Sequence, residues 1–330
     1  MDLSTTYMGL PLGSPFIAGA SPLGAHLDSA RRLEDAGCAA IVLHSLFEEQ
    51  VTFEATGKIR QRDPLDPAFA EALAPFPAAR EYTYGPVEYL EHLRRVKAAV
   101  AIPVIASLNG TTAAAWLKIA RLLQDAGADG LEVNIYEVIT DLDLPGATVE
   151  HQLRDVVQQL KQILRIPVAV KMSPFFPAIG NVARQIDEAG ADAIVMFNRF
   201  YQPDIDVRTM TVAPNLELSR SNELLLRLRW LAILHGRVKA SLAVTGGVET
   251  PTDGVKAVLA GAHAVQVVSA ALRHGPGYFR TLRDGLEHWM EWQKLPSINA
   301  VRGKVSAATV ADASAFERAN YIRTLQSWGR

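Results

Sequence analysis

Lys171 closes an otherwise apolar run, IPVAVKM (166–172). A lysine ending a buried strand is costly to leave unpaired. Three chemistries account for it: an anion or electron-rich ring above it, a carboxylate from a neighbouring strand, or Schiff-base formation by a desolvated amine. A second cluster is Thr245-Gly246-Gly247-Val248-Glu249-Thr250. Two glycines let backbone N–H groups approach an anion, and the helix that follows presents its positive end. Ser269, after VQVV (265–268), adds a hydroxyl. The alternative is a plain strand-to-helix turn. Asn134 ends LEVN (131–134), where a carboxamide can reach a ligand. Ala20, Ser21, His44, Ser45, Asn109, Asn198 and Arg199 also follow apolar runs, though His44 and Arg199 suit a loop hydrogen bond equally well.

The elements that must position these groups show as an internal echo. LEDAGCAAIVL (33–43), LQDAGADGLEV (123–133), IDEAGADAIVM (186–196) and VLAGAHAVQVV (258–268) each join the end of a helical pattern to a β-branched run through an Ala-Gly step. Gly37, Gly127, Gly190 and Gly261 sit where a helix C-cap needs positive φ. Runs apolar on successive residues predict strands buried on both faces. With the intervening runs, strands are expected to begin near 15, 39, 103, 129, 167, 192, 241 and 263. Eight alternating units predict a closed (β/α)₈ barrel, with functional groups at the C-terminal strand ends, rather than a doubly wound open sheet.

Three segments depart from the array. TTYMGLPLGSPF (5–16) reads as a hairpin turning around Gly9-Leu10-Pro11, and residues 45–85 as a long lid or binding loop. The tail contains a helix through ASAFERANYIRTLQSW (313–328). The chain reads as one domain over 1–330, with the barrel over about 15–293 and a helical extension over 294–330.

Lys and Arg number 33 against 35 acids, so no global charge draws the chain to nucleic acid or an anionic bilayer. One cysteine, Cys38, supports neither a disulfide framework nor an iron–sulfur cluster. The N-terminus has no secretory pattern and no run approaches the ~20 apolar residues of a membrane span. A cytoplasmic setting without a bound metal is expected.

Together these motifs resemble the dihydroorotate dehydrogenase family, especially its soluble class 1. The similarity runs from about Leu3 to Gly303. It is carried by TTYMGLPLGSPFIAGAS, by Val170-Lys171-Met172-Ser173-Pro174 and by Thr245 to Thr250. His274-Gly275-Pro276-Gly277-Tyr278-Phe279 and the Ser297-Ile298 to Gly303 ending add to it. The resemblance implies FMN across the barrel mouth. Ala20, Ser21 and Ser45 would lie along the ring, Asn134 near it, and Lys171 by its N1–C2 edge. Gly246, Gly247 and Ser269 would hold the phosphate. A lysine there stabilises the negative charge that reduction brings to the ring.

The departures fall on the substrate side. The run Asn134-Ile135-Tyr136-Glu137-Val138 puts Glu137, to within one residue, where the family has a Cys or Ser base. His44 stands for a family lysine, and the family's substrate loop has no counterpart between Glu48 and Tyr84. Asn198 is kept beside Arg199, and Ser219-Arg220-Ser221 replaces a glycine pair. The expectation is an FMN-dependent oxidoreductase acting on CH–CH bonds, with Glu137, Lys171 and Asn134 catalytic. His44, Asn109, Asn198 and Arg199 would meet a small anionic organic substrate. The alternatives are a dihydroorotate dehydrogenase of pyrimidine biosynthesis using Glu137 as base, a phosphate-binding aldolase or lyase using Lys171, and a non-catalytic flavoprotein subunit. A homodimer and a separate electron-acceptor protein are the partners left open.

Overall fold

The computed structural model describes residues 1–48, 85–110, 113–135, 137–199, 201–213 and 215–327. An N-terminal hairpin, β1 (Thr5–Tyr7) and β2 (Leu10–Leu12), precedes eight strands that close a parallel barrel. These are β3 (Phe16–Ala18), β4 (Ile41–Phe47), β5 (Val104–Asn109), β6 (Gly130–Asn134), β7 (Val168–Met172), β8 (Ala193–Met196), β11 (Ser241–Thr245) and β12 (Ala264–Val267). Their order around the barrel is β11-β12-β3-β4-β5-β6-β7-β8, so each strand pairs with its neighbours along the chain and the ring has no edge. The four echo glycines have φ of 84°, 95°, 95° and 123°, the left-handed caps that stop a helix and release a strand.

The echo has a second physical basis two residues on, in three of its four copies. Asp129 accepts the N–H of Val104 at 2.6 Å and pairs with Lys97 at 2.6 Å. Asp192 accepts the N–H of Val168 at 2.7 Å and pairs with Lys161 at 2.5 Å. His263, the equivalent residue of the fourth copy, accepts the N–H of Leu242 on Nδ1 at 3.0 Å. In each case a polar side chain at the foot of one strand takes an N–H from the strand before it.

Alternation within the strands separates two cores. Phe16, Leu43, Leu131, Val170, Ile194, Val244 and Val265 face outward and pack on the helices. Ile17, Val42, Ile105, Ala169, Ala193, Val195, Ala243 and Ala264 face inward and meet Tyr7, Met8 and Leu12 of the hairpin. The small inward residues make room for that plug. At Gly130 a Cβ would come within 2.8 Å of the Met8 Cε. The hairpin turns at Met8-Gly9, not at Gly9-Leu10-Pro11, because Tyr7 pairs with Leu10. Both turn residues have positive φ, 44° and 81°, as a two-residue hairpin with the native twist requires.

Two further expectations need correction. β4 continues to Phe47, so His44 and Ser45 belong to the strand rather than to the loop after it. The tail helix is split into a short 3₁₀ turn, Ala313–Phe316, and a helix over Arg318–Gln326. A small hairpin, β9 (Asp204–Asp206) with β10 (Thr211–Ala213), follows β8 and was not anticipated. Most of the proposed lid, residues 49–84, lies outside the described residues.

Candidate active site at the barrel mouth

The register sets three of the expected site residues side by side. Asn109 of β5 is opposite Asn134 of β6, and Asn134 is opposite Lys171 of β7. Asn198, just past β8, is tied to β7 by its N–H to Met172 O at 2.8 Å and gives its carboxamide N–H to Asn134 Oδ1 at 2.7 Å. All four are buried but keep a little exposure: 7% for Asn109, 9% for Asn134, 6% for Lys171 and 8% for Asn198. Three carboxamides and an ammonium on adjoining strands therefore share the C-terminal end of the barrel.

Below them runs a polar row that sequence reading passed over. Lys171 Nζ lies 3.0 Å from Glu132 Oε1, and Glu132 has no exposure at all. The second oxygen of Glu132 accepts a short hydrogen bond from Gln266 Nε2 of β12, across the barrel. Gln266 in turn faces Tyr7 of the plug, whose phenol is pushed well above its ordinary value by burial and by the Glu132 charge, against the Gln266 amide. The Tyr7 hydroxyl and Gln266 Oε1 are buried without a hydrogen-bond partner. Of the three roles open to Lys171, the carboxylate partner is the one the geometry displays. An ion-paired ammonium has no lone pair for a carbonyl, which disfavours a Schiff base. Removing one member of such a buried pair typically costs about 3–5 kcal/mol.

Gly246 and Gly247 have φ of 80° and 81°. A Cβ on Gly247 would lie 2.5 Å from the Leu224 nitrogen, and one on Gly246 would lie 2.8 Å from Arg227 Nη2. Arg227 is 6% exposed and holds the turn through Thr245 O and Glu223 O. The Gly247 N–H donates to Ser219 Oγ at 3.1 Å, and Ser219 donates to Ser269 Oγ through both its N–H, at 3.0 Å, and its hydroxyl, at 2.9 Å. Backbone N–H, two hydroxyls and a guanidinium so converge on one turn, a donor set that suits a phosphate monoester.

The remaining expected residues are more dispersed. Ser21 donates its hydroxyl to Gly19 O at 2.8 Å, beside half-buried Ala20. Ser45 Oγ meets Ser107 Oγ at 2.8 Å. The His44 ring sits edge-on to Tyr89, 5.1 Å away, and 6.2 Å from His92, both on the helix Pro86–Ala99. Burial and the His92 charge push its imidazole down to about 4. Arg199 pairs with Glu223 at 3.2 Å and lies 5.5 Å over the Tyr201 ring. Glu137 is exposed on the rim of a pocket of about 780 Å³. Ile135, Val138, Phe175, Phe176 and Tyr201 make that pocket largely apolar. No helix among the described residues is long and apolar enough to cross a membrane, and none of their acidic, His and Cys side chains form a metal-binding group.

The sequence profile of dihydroorotate dehydrogenase matches residues 83–290, well over half of the chain. The chain belongs to the dihydroorotate dehydrogenase family. It is 26% identical over 315 residues to the catalytic subunit of dihydroorotate dehydrogenase B (NAD(+)) of Thermoplasma acidophilum, covering 92% of this chain and 98% of that one. The corresponding subunit of Methanothermobacter thermautotrophicus is 25% identical, over 91% and 97%. NAD-dependent dihydropyrimidine dehydrogenase subunit PreA of Escherichia coli K12 is 26% identical, over 92% and 76%. The chain is thus an oxidoreductase of the dihydroorotate dehydrogenase type on a TIM barrel.

Proposed function

We propose that this oxidoreductase binds FMN across the barrel mouth and acts on a CH–CH bond of a small anionic organic substrate. The observation that carries the reading is the row Asn109, Asn134, Lys171, set by register on three adjoining strands. When bound, FMN supplies hydride transfer. Gly246, Gly247 and Ser269 would hold its phosphate, helped by Ser219 moving its hydroxyl aside. Ala20, Ser21 and Ser45 would line the ring, and Lys171 would offer positive charge to its N1–C2 edge. Asn134 and Asn198 already orient each other and, with Asn109, present donors and acceptors to a substrate; Arg199 is a further candidate on that side, whereas the His44 ring packs against Tyr89 and His92 of the helix Pro86–Ala99. Glu137 would take a proton from the substrate carbon. A separate electron-acceptor protein agrees with relatives that are named as subunits.

Acid release of the chromophore from purified protein, followed by chromatography, tests this reading. FMN is the expected product; recovery of FAD, or of no flavin, refutes it.

A further inference from the structure

The pair beneath the mouth does more than fill the barrel. We infer that Glu132 is a positioning residue that fixes the Lys171 ammonium at the mouth and, by sharing its charge, holds down the reduction potential of a flavin bound there. The inference rests on the FMN reading and concerns a residue to which that reading gives no role.

Three observations carry it. Glu132 is fully enclosed and lies 3.0 Å from Lys171 Nζ, so the two charges face each other without water between them. Its other oxygen is held by Gln266 from the opposite side of the barrel. The carboxylate is therefore fixed by two strands and cannot follow the lysine if the lysine moves. Asn134 and Lys171 are opposite each other in register, whereas Glu132 is opposite Ala169. That places Glu132 one inward-facing step below the mouth. The ammonium is thus held between a fixed anion beneath and whatever occupies the mouth above. Negative charge arriving on a ring above it gains the attraction of Lys171 less the repulsion of Glu132.

The orientation is as important as the charge. A lysine has four flexible bonds, and an unanchored ammonium would spread over several positions. Anchored from below, it presents its remaining N–H groups toward the mouth. The Gln266 oxygen, buried without a partner, adds a useful property: if Glu132 becomes an amide, Gln266 can turn and accept from it, so that Glu132→Gln keeps both shape and hydrogen bonding.

The test is the midpoint potential of the FMN-loaded protein, measured by anaerobic titration against reference dyes, for the parent, Glu132→Gln and Lys171→Met. Glu132→Gln should raise the ratio of reduced to oxidised flavin at fixed potential at least tenfold, about 30 mV for a two-electron couple. Lys171→Met should shift it in the opposite direction. Thermal melting of the flavin-free proteins gives a second readout. Lys171→Met strands the buried carboxylate and should melt on the order of 5–10 °C lower, with most of the loss recovered in the Glu132→Gln/Lys171→Met double variant. A flavin whose potential is unmoved or lowered by Glu132→Gln overturns the inference alone. A chain that takes up no FMN overturns the functional reading and the inference with it. A double variant that melts no higher than Lys171→Met overturns the pairing itself.

Discussion

His263 stands where two sister strands carry Asp129 and Asp192, and replacing it by aspartate should remove one source of acid sensitivity. Burial first, then the charges of Arg302 and His235, push its imidazole from 6.5 down to about 4. The folded protein thus refuses a proton that the unfolded chain accepts below pH 6.5. The unfolded state binds more protons between those limits, so stability falls as pH falls from about 6.5 to about 4 and is fully present above. At about 1.4 kcal/mol per pH unit, the loss over that window is about 3 kcal/mol. The structure also says why the ring must stay neutral: Nδ1 accepts the Leu242 N–H at 3.0 Å and needs its lone pair. In His263→Asp a carboxylate oxygen takes over that N–H, as in the sister strands, and the positive charge of Arg302 favours the carboxylate. Urea unfolding of both proteins at a series of pH values should show the variant gaining about 2.5 kcal/mol on the parent between pH 7 and pH 4.5. Two stability curves that run parallel over that range would refute the argument, whatever their absolute heights.

Gly247→Ala should destabilise the protein by more than ~1 kcal/mol and lower its flavin content, because the new Cβ meets the Leu224 nitrogen at 2.5 Å and φ is 81°. Calorimetry and the ratio of flavin to protein absorbance check both, and an alanine variant with full flavin content removes Gly247 from the cradle. L-dihydroorotate should bleach the flavin slowly or not at all in stopped flow. Glu137 is exposed on an apolar rim, and a carboxylate is a much weaker base than the thiolate or alkoxide of a Cys or Ser for a carbon-bound proton. Bleaching within a second, abolished by Glu137→Gln, would make dihydroorotate the substrate and Glu137 its base.

The barrel was legible because its sequence repeats a physical necessity. Each helix must stop on a residue with positive φ and each strand is buried on both faces, so Ala-Gly steps followed by β-branched runs mark the junctions. Observed strand starts at Phe16, Ile41, Val104, Gly130, Val168, Ala193, Ser241 and Ala264 lie within two residues of those read from that pattern. The meeting of Asn109, Asn134 and Lys171 depends on register, to which the strand ends were a sufficient guide. Glu132 and Gln266 escaped because each is a single polar letter inside an apolar run, and only closure of the barrel brings β6, β7 and β12 round a common interior. Their signal was present: a carboxylate in GLEVN and an amide in AVQVV are as costly to bury unpaired as the lysine that did draw notice. The turn at Met8-Gly9 escaped for another reason. A methionine is a poor prospect for φ of 44°, and it sits there because its side chain fills the space left by Gly130.

That stopper has an effect at the far end of the barrel. Among the described residues Tyr7, Met8 and Leu12 fill the lower opening, and Lys171 stands at the upper one. The Glu132 carboxylate has packed hydrocarbon of the plug on one side and the ammonium on the other, so its charge stays enclosed in the row. Whatever lodges at the doorway shares its electrostatic field with a fixed internal counter-ion that bulk solvent neither reaches nor screens.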